Sequence, residues 1–478
     1  EAEQNKVTGH VHLTPIQELF FQSKLENLNY WNQSLLFIIK DEWDTDLIKQ
    51  TAETLVYHHD ALRIKINYKN ADDEINQEFK EIMDYPFFEE YNIENGTDKK
   101  TEIEEICSRA QASLNLERGE IFKLILLKLS ENEARIFFVI HHIAIDGVSW
   151  RILLEDFQFV YTQLKNKLEL SLNPKTTSFK EWSSKLLEFS KSEKIKDDIQ
   201  YWTEKSATIA NFLPIDNVIG VNNESSAKDF SIELDENKTQ NILRDVNNKY
   251  NTKVTELLLT ALLRSYSAWT GKRAITINLE NHGRDVPIER IDLSRTIGWF
   301  TTLYPCHLDL QKAVSVGESI TKVKEQLRLI PNDGNTYGLI RFLQDNIDVL
   351  EKLKRFDNLG ITFNYLGQFD NVLKSDGIFS VANESKGFER DPKNLRDSLI
   401  DVTSNISGGK LRVNFSYSEN IFERENISIW ARKFEEELLN IIEHCLTKET
   451  KTFTSSDFNL SNLNDKKLDK LLSKLKKK

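Results

Sequence analysis

The sequence predicts an α/β (α+β) protein made of two mixed lobes, and three observations lead there. Apolar runs short enough for strands alternate with longer stretches of helical period, the pattern of packed mixed layers. A strand ending in a histidine-bearing loop occurs once in each half, at His141-His142 and at Glu280-Asn281-His282, with no short-period repeat to suggest a solenoid. The 478 residues suffice for two lobes that each bury a core. The expected division is residues 1–172 for the first lobe, 173–455 for the second and 456–478 for a basic C-terminal segment.

The first element is a helix opening at Thr14-Pro15-Ile16-Gln17. An N-cap Thr, a Pro at the first helical position and a Gln three residues after the cap precede Leu19, Phe20 and Phe21 there. A second amphipathic helix is expected over about Asp46 to Leu62. Ile121 to Leu126 and Ala134 to Ile140 flank the polar turn Ser130-Glu131-Asn132-Glu133 and read as adjacent strands, the second running into His141-His142. A short polar loop then leads to a helix, because Val148, Ile152, Leu153, Phe157, Val160, Tyr161 and Leu164 recur at helical spacing. From Leu170 to Ser226 the composition turns to Ser, Asn, Asp and Lys, with short helical pieces around Trp182 and Trp202, and the lobe boundary falls in its first part. A long apolar helix from Val254 to Thr270 leads to a strand at Ala274 to Leu279, ended by the loop from Glu280 to Asp285.

Composition removes several function classes. Hydrophobic residues at 39% and charged residues at 29% are those of a folded globular chain, not a disordered one. A net charge of −12 argues against a general nucleic-acid binder, which needs a basic surface to neutralise phosphates. The longest apolar stretches, such as Leu257 to Leu263, fall far short of a membrane span, and the polar opening is no signal peptide. Cys107, Cys306 and Cys445 are too scattered for a disulfide framework or a metal site, so a reducing, cytoplasmic compartment is expected. With no initiator Met, the chain reads as a segment of a longer polypeptide. Ser407-Gly408-Gly409-Lys410 lacks the strand-to-helix context of a phosphate loop.

The segment from His141 to Trp150, HHIAIDGVSW, is the strongest chemical signal. A histidine at a strand end can present an imidazole that titrates near working pH, which suits a general base, and Asp146 four residues on can hold the loop or orient the ring. Taken alone, a His-His pair is also read as buried structure. His58-His59-Asp60 lacks the Gly-Val-Ser-Trp continuation and is read as structural.

This motif resembles the His-motif of the condensation-domain superfamily of nonribosomal peptide synthetases, and Gly147-Val148-Ser149-Trp150-Arg151 is similar to its epimerization branch. Thr14 to Phe21 is similar to the family's opening motif. Glu280-Asn281-His282-Gly283-Arg284-Asp285 resembles the branch's Glu-Gly-His-Gly-Arg-Glu element, with Asn281 and Asp285 as departures. Arg295 to Pro305 and Phe363-Asn364-Tyr365-Leu366-Gly367 match two further signatures, and Pro331 to Gly338 is a looser fit that lacks one glycine. The resemblance covers about residues 8 to 455, in the family's order.

The resemblance implies a pseudo-dimer of two chloramphenicol-acetyltransferase-like lobes around a central tunnel. It implies an upstream peptidyl carrier domain of the same polypeptide as partner, feeding a phosphopantetheine arm loaded with an aminoacyl or peptidyl thioester, and inversion of the carried Cα. The chain lacks a carrier-type Ser motif, so the arm comes from that partner and no cofactor of the domain's own is expected. Such inversion needs a base to take the acidified α-hydrogen and a proton returned to the opposite face of the enolate. The resemblance places His142 on one side and Glu280 on the other, with Glu280 raised in pKa by burial; on the residues alone, Glu280 reads instead as a strand-end carboxylate paired with Arg273 or Arg284. It gives Asp146 a structural part through Arg284, compatible with capping the following helix. Asn364 and Tyr365 are assigned near the reacting centre, hydrogen-bonding the thioester oxygen or serving as ordinary core polar groups, and His141 supports its neighbour. Competing functions are a condensation domain that forms peptide bonds and a non-catalytic carrier-binding module. In the C-terminal segment Leu468, Leu471, Leu472 and Leu475 line one face of a lysine-rich helix, which packs on its own domain, serves as a linker or docks on a downstream synthetase module.

Overall fold

In the computed structural model, residues 2–458 are described apart from 24, 41, 69–74, 95, 97 and 369–376. The lysine-rich C-terminal helix expected around Leu468 to Leu475 lies outside the described residues.

Strand-forming sequence condenses into two main sheets. The first has five strands in the order Phe379–Val381, Asn32–Ile39, Glu133–His141, Phe122–Ser130 and Phe88–Asn92. Phe122–Ser130 and Glu133–His141 form the expected antiparallel hairpin, nearly every residue of the second being buried because helices cover both faces. The second has six strands in the order Thr302–Asp309, Ala274–Asn281, Ile361–Gln368, Ile400–Ser407, Lys410–Ser418 and Ala227–Glu233. Thr302–Asp309 is its edge, which is where Pro305 costs no ladder bond. Ser407-Gly408-Gly409-Lys410 is a two-residue hairpin turn whose glycines both adopt positive φ (60° and 72°). A small three-stranded sheet of Gly9–Val11, Asn76–Phe79 and Ile64–Asn67 was not expected; its strands are too short for period to show.

Helices form where expected. Pro15–Gln22 starts with Gln17 Oε1 accepting the Thr14 N–H at 3.1 Å. The helix expected to reach Leu62 stops at His58 and continues as a 3₁₀ turn at Asp60–Arg63, where the buried Arg63 guanidinium takes the Val56 and Tyr57 carbonyls. Gly147–Lys165 and Val254–Thr270 match their apolar spacing, and Phe179–Ser190 and Lys196–Lys205 carry Trp182 and Trp202 inward. One apolar core runs through both sheets, and a smaller one lies between the first sheet and the helix Lys99–Ala112.

The second half lends chain to the first. Phe379–Val381 pairs antiparallel with Phe37–Ile39, and Phe379 stacks on Phe37 at 5.3 Å. The following segment is a strap along the seam: Asn32 N–H donates to Glu389 O at 2.7 Å, Asp391 N–H to Tyr30 O at 3.0 Å, and Glu224 N–H to Asn394 O at 2.9 Å.

Candidate active site

The strand Glu133–His141 delivers His141 and His142 to its end, and a 3₁₀ turn over His142–Ala144 redirects the chain into the helix beginning at Gly147. The loop expected to be polar is instead apolar: Ile143, Ala144 and Ile145 are wholly buried, and the Ile143 carbonyl accepts from the Gln17 amide at 3.3 Å. Burial is possible because that amide and the 3₁₀ turn satisfy backbone groups that water would otherwise serve.

His141 is fully buried, and both of its nitrogens are occupied. Nε2 lies 2.8 Å from Leu28 O, and Nδ1 accepts the Ile143 N–H at 3.2 Å. Burial pushes its pKa down to about 3, so it is a neutral brace for the loop. His142 is half-buried. Its ring packs on Trp299 at 4.5 Å, its backbone N–H donates to Trp31 O at 2.8 Å, and its ring Nε2 lies 2.8 Å from Gln33 Nε2. Burial lowers its pKa to about 4; Arg390 pushes the same way, against its own carbonyl, Asp146 and the Ile145 carbonyl.

Asp146 caps the helix, accepting Ser149 N–H at 2.8 Å, and also accepts Phe300 N–H at 3.1 Å and Arg284 Nη2 at 3.2 Å. Arg284 in turn donates to the carbonyls of Leu293 and Thr296 and to Ser149 Oγ, with its guanidinium 4.0 Å over the Phe300 ring. The pair is a buried staple between the His loop and the loop following Asn281.

Glu280 and Asn364 meet because their strands are parallel neighbours in register, Thr362 opposite Asn278 and Phe363 opposite Leu279. Asn364 Nδ2 donates to Glu280 Oε2. Neither alternative partner engages Glu280: Arg273 holds the carbonyls of Gln311 and Ala313, and Arg284 is on Asp146. Burial first, then Asp401, raises Glu280 to about 7, against Arg390 and the Asn364 hydrogen bond. Tyr365 is next on the strand, its phenol raised by burial.

Glu280, Asn364, Tyr365 and Asp146 line a cavity of about 500 Å³. His142 is not among the residues that line it; Trp299 and Gln33 pack against its ring. Arg390, on the strap, is 3.8 Å over Trp31 and bonded to Glu224 at 2.9 Å, and lies within electrostatic reach of both His142 and Glu280. Sequence reasoning missed Gln33 and Arg390, which lie 109 and 248 positions from His142 and carry no local motif, and it placed Trp299 in the Arg295 to Pro305 signature without giving it a part beside His142. His59 is structural as expected, its Nε2 3.0 Å from Asp156, which Arg295 also holds.

A mixed two-sheet protein with open sheets, a histidine at a strand end and a carboxylate on the second sheet belongs to the chloramphenicol-acetyltransferase-like class. Residues 7–463 match the condensation-domain model, and the chain belongs to that family. It is 35% identical to tyrocidine synthase 2 of Brevibacillus parabrevis over 99% of its own length and 13% of that protein's. To gramicidin S synthase 1 of Brevibacillus brevis it is 34% identical over 99% of its length and 44% of the relative's. The chain thus spans less than half the length of these peptide synthetases. The crystal structure of the epimerization domain from the third module of tyrocidine synthetase B superposes with a TM-score of 0.87 at 34% identity, covering 94% of this chain and 99% of that one. The X-domain from teicoplanin biosynthesis shares the fold alone, with a TM-score of 0.70 at 15% identity.

Proposed function

We propose that this domain inverts the Cα configuration of an aminoacyl or peptidyl thioester presented on the phosphopantetheine arm of a carrier domain. The observation that carries the reading is a half-buried histidine at the end of one sheet's strand and a half-buried carboxylate on the other sheet, whose surroundings push their protonation in opposite directions. Near neutral pH His142, with a pKa of about 4, is an empty base, while Glu280, at about 7, still holds its proton in a large fraction of molecules. In one direction His142, reached by the substrate once Gln33 and Trp299 give way around its ring, takes the proton from Cα, the C–H electrons pass into the thioester as an enolate, and Glu280 protonates Cα from the opposite face. His142 then releases its proton to solvent while Glu280 regains one, and the reverse direction exchanges the roles. Asn364, through its bond to Glu280, aims the carboxyl. Arg390 supplies positive charge within reach of both groups, which favours the enolate. Arg151 and Lys253 on the cavity lining suit the phosphate of the arm. The likeness to an epimerization domain over nearly the whole fold supports the same choice.

The test is to load a carrier domain with an L-aminoacyl thioester, incubate it with this domain in deuterated water and follow both deuterium at Cα and the L-to-D ratio. Inversion with one deuterium incorporated is expected. Peptide formation from two loaded carriers without Cα exchange would show condensation, and neither reaction would show a non-catalytic carrier-binding module.

A further inference from the structure

Gln33 stands between His142 and Trp150. Its strand runs antiparallel to the His-motif strand, with Asn32 opposite His141 and Gln33 opposite Ile140, so Gln33 and His142 are diagonal neighbours on one face of the sheet. The helix that starts after Asp146 brings Trp150 to the same place, its ring edge-on to Phe138. The indole Nε1–H donates to Gln33 Oε1 at 2.7 Å, and Gln33 Nε2 lies 2.8 Å from His142 Nε2. An indole nitrogen only donates, so Trp150 fixes which end of the amide is oxygen and turns the NH₂ toward the imidazole. A donor at 2.8 Å from Nε2 requires a lone pair there. The proton of the neutral ring then sits on Nδ1, an enclosed atom with no well-formed partner.

We propose that Gln33, clamped by Trp150, is a positioning residue that holds His142 in the Nδ1–H tautomer with Nε2 unprotonated. This deepens the reading of His142 as the base and rests on it. The lone pair that takes the Cα proton is the one the Gln33 N–H occupies, so the substrate must displace that N–H to react, and once Nε2 is protonated its N–H faces the Gln33 NH₂ again. The amide cannot turn over to accept without losing the Trp150 bond, so the imidazolium is disfavoured and its proton is readily handed on. The other charged or titratable groups around the ring are Arg390 from the strap, Asp146 from the helix cap and His141 on the same strand. Arg390 and Asp146 act in opposite senses, which leaves the amide as a separable influence.

The experiment is imidazole ¹⁵N NMR on the intact chain, titrated with pH, together with the acid limb of Cα exchange. In the wild type the neutral form of His142 should show a protonated Nδ1 and an unprotonated Nε2. Gln33→Met keeps length but removes the donor, and should raise proton affinity by about tenfold, moving the acid limb up by about one pH unit. Gln33→Glu replaces the donor with an acceptor and should raise it further and place a proton on Nε2. Trp150→Phe, which frees the amide to turn, should shift it in the same direction as Gln33→Met while leaving Gln33 in place. An Nε2–H tautomer in the wild type, or a His142 titration unmoved by both Gln33 variants, would overturn the proposal. The spectroscopic readout needs no turnover, so an inactive domain with the expected tautomer would count against the epimerase reading alone.

Discussion

Asp146→Ala should destabilise the domain measurably, and the structure sets how much. The carboxylate accepts three hydrogen bonds and faces Arg284 with side-chain exposures of 5% and 9%, so solvent screening gives little relief. Removal leaves a buried guanidinium whose remaining partners are two carbonyls and the Ser149 hydroxyl, and strips the Phe300 N–H of its acceptor. Breaking a buried pair from one side costs about 3–5 kcal/mol. At about 2.1 cal/mol/K per residue, a chain of this length unfolds with an entropy near ~1 kcal/mol/K, so the melting temperature should fall by about 3–5 °C if unfolding is a single transition. The assay is a pair of melts, one on Asp146→Ala and one on Asp146→Ala combined with Arg284→Met. The double variant removes the orphaned cation and should recover part of the loss. A melting temperature unchanged in the single variant with Cα exchange abolished would refute the staple and make Asp146 a direct participant.

Three further outcomes are expected. His142→Ala should lower Cα exchange by about 10²–10⁴-fold with the cooperative melt retained, and near-normal exchange would place the base elsewhere. Glu280→Gln should gain stability relative to wild type as pH rises. Burial raises the folded carboxyl from 4.5 to about 7, so within that window the unfolded chain has released a proton that the folded chain keeps, and wild-type stability falls with rising pH. Urea midpoints of the two proteins that keep a constant gap from pH 4.5 to 8 would rule out a raised carboxyl. Asp457→Ala should cost about 3–5 kcal/mol, because Asp457 bonds the fully buried Lys324 at 2.7 Å and Arg328 at 2.7 Å. Limited proteolysis should then find a new cut between Thr452 and Phe458, and an unchanged digest would show that the turn is held by other contacts.

What was legible in the sequence was local. The helix after Asp146 and the hairpin ahead of His141 declare themselves by period, and the motifs around Glu280 and Asn364 by resemblance, because each is a contiguous run. The meeting of Glu280 with Asn364 depends on the parallel register of two strands separated by an antiparallel edge and a helical region, which no spacing encodes. The loop Ile143–Ile145 reads as polar because what satisfies it, the Gln17 amide, and what anchors the Asp146 and Ser149 that follow it, the second half's Gly298 and Phe300, are remote in sequence. Gln33 was invisible for the same reason: an amide in an apolar strand looks incidental until Trp150 and His142 are seen on either side of it.

The strand Phe379–Val381 also bears on how the protein is made. Its partner, Phe37–Ile39, leaves the ribosome about 340 residues earlier. At translation rates of about 5–20 residues per second, that edge waits roughly 20–70 s for the residues that cover it. Throughout that interval Leu35 to Ile39 presents an apolar strand with unpaired backbone groups, the kind of edge to which other nascent chains add. The first half therefore cannot close its sheet as it is synthesised, and the time of greatest exposure to misassembly falls while the second half is still being translated.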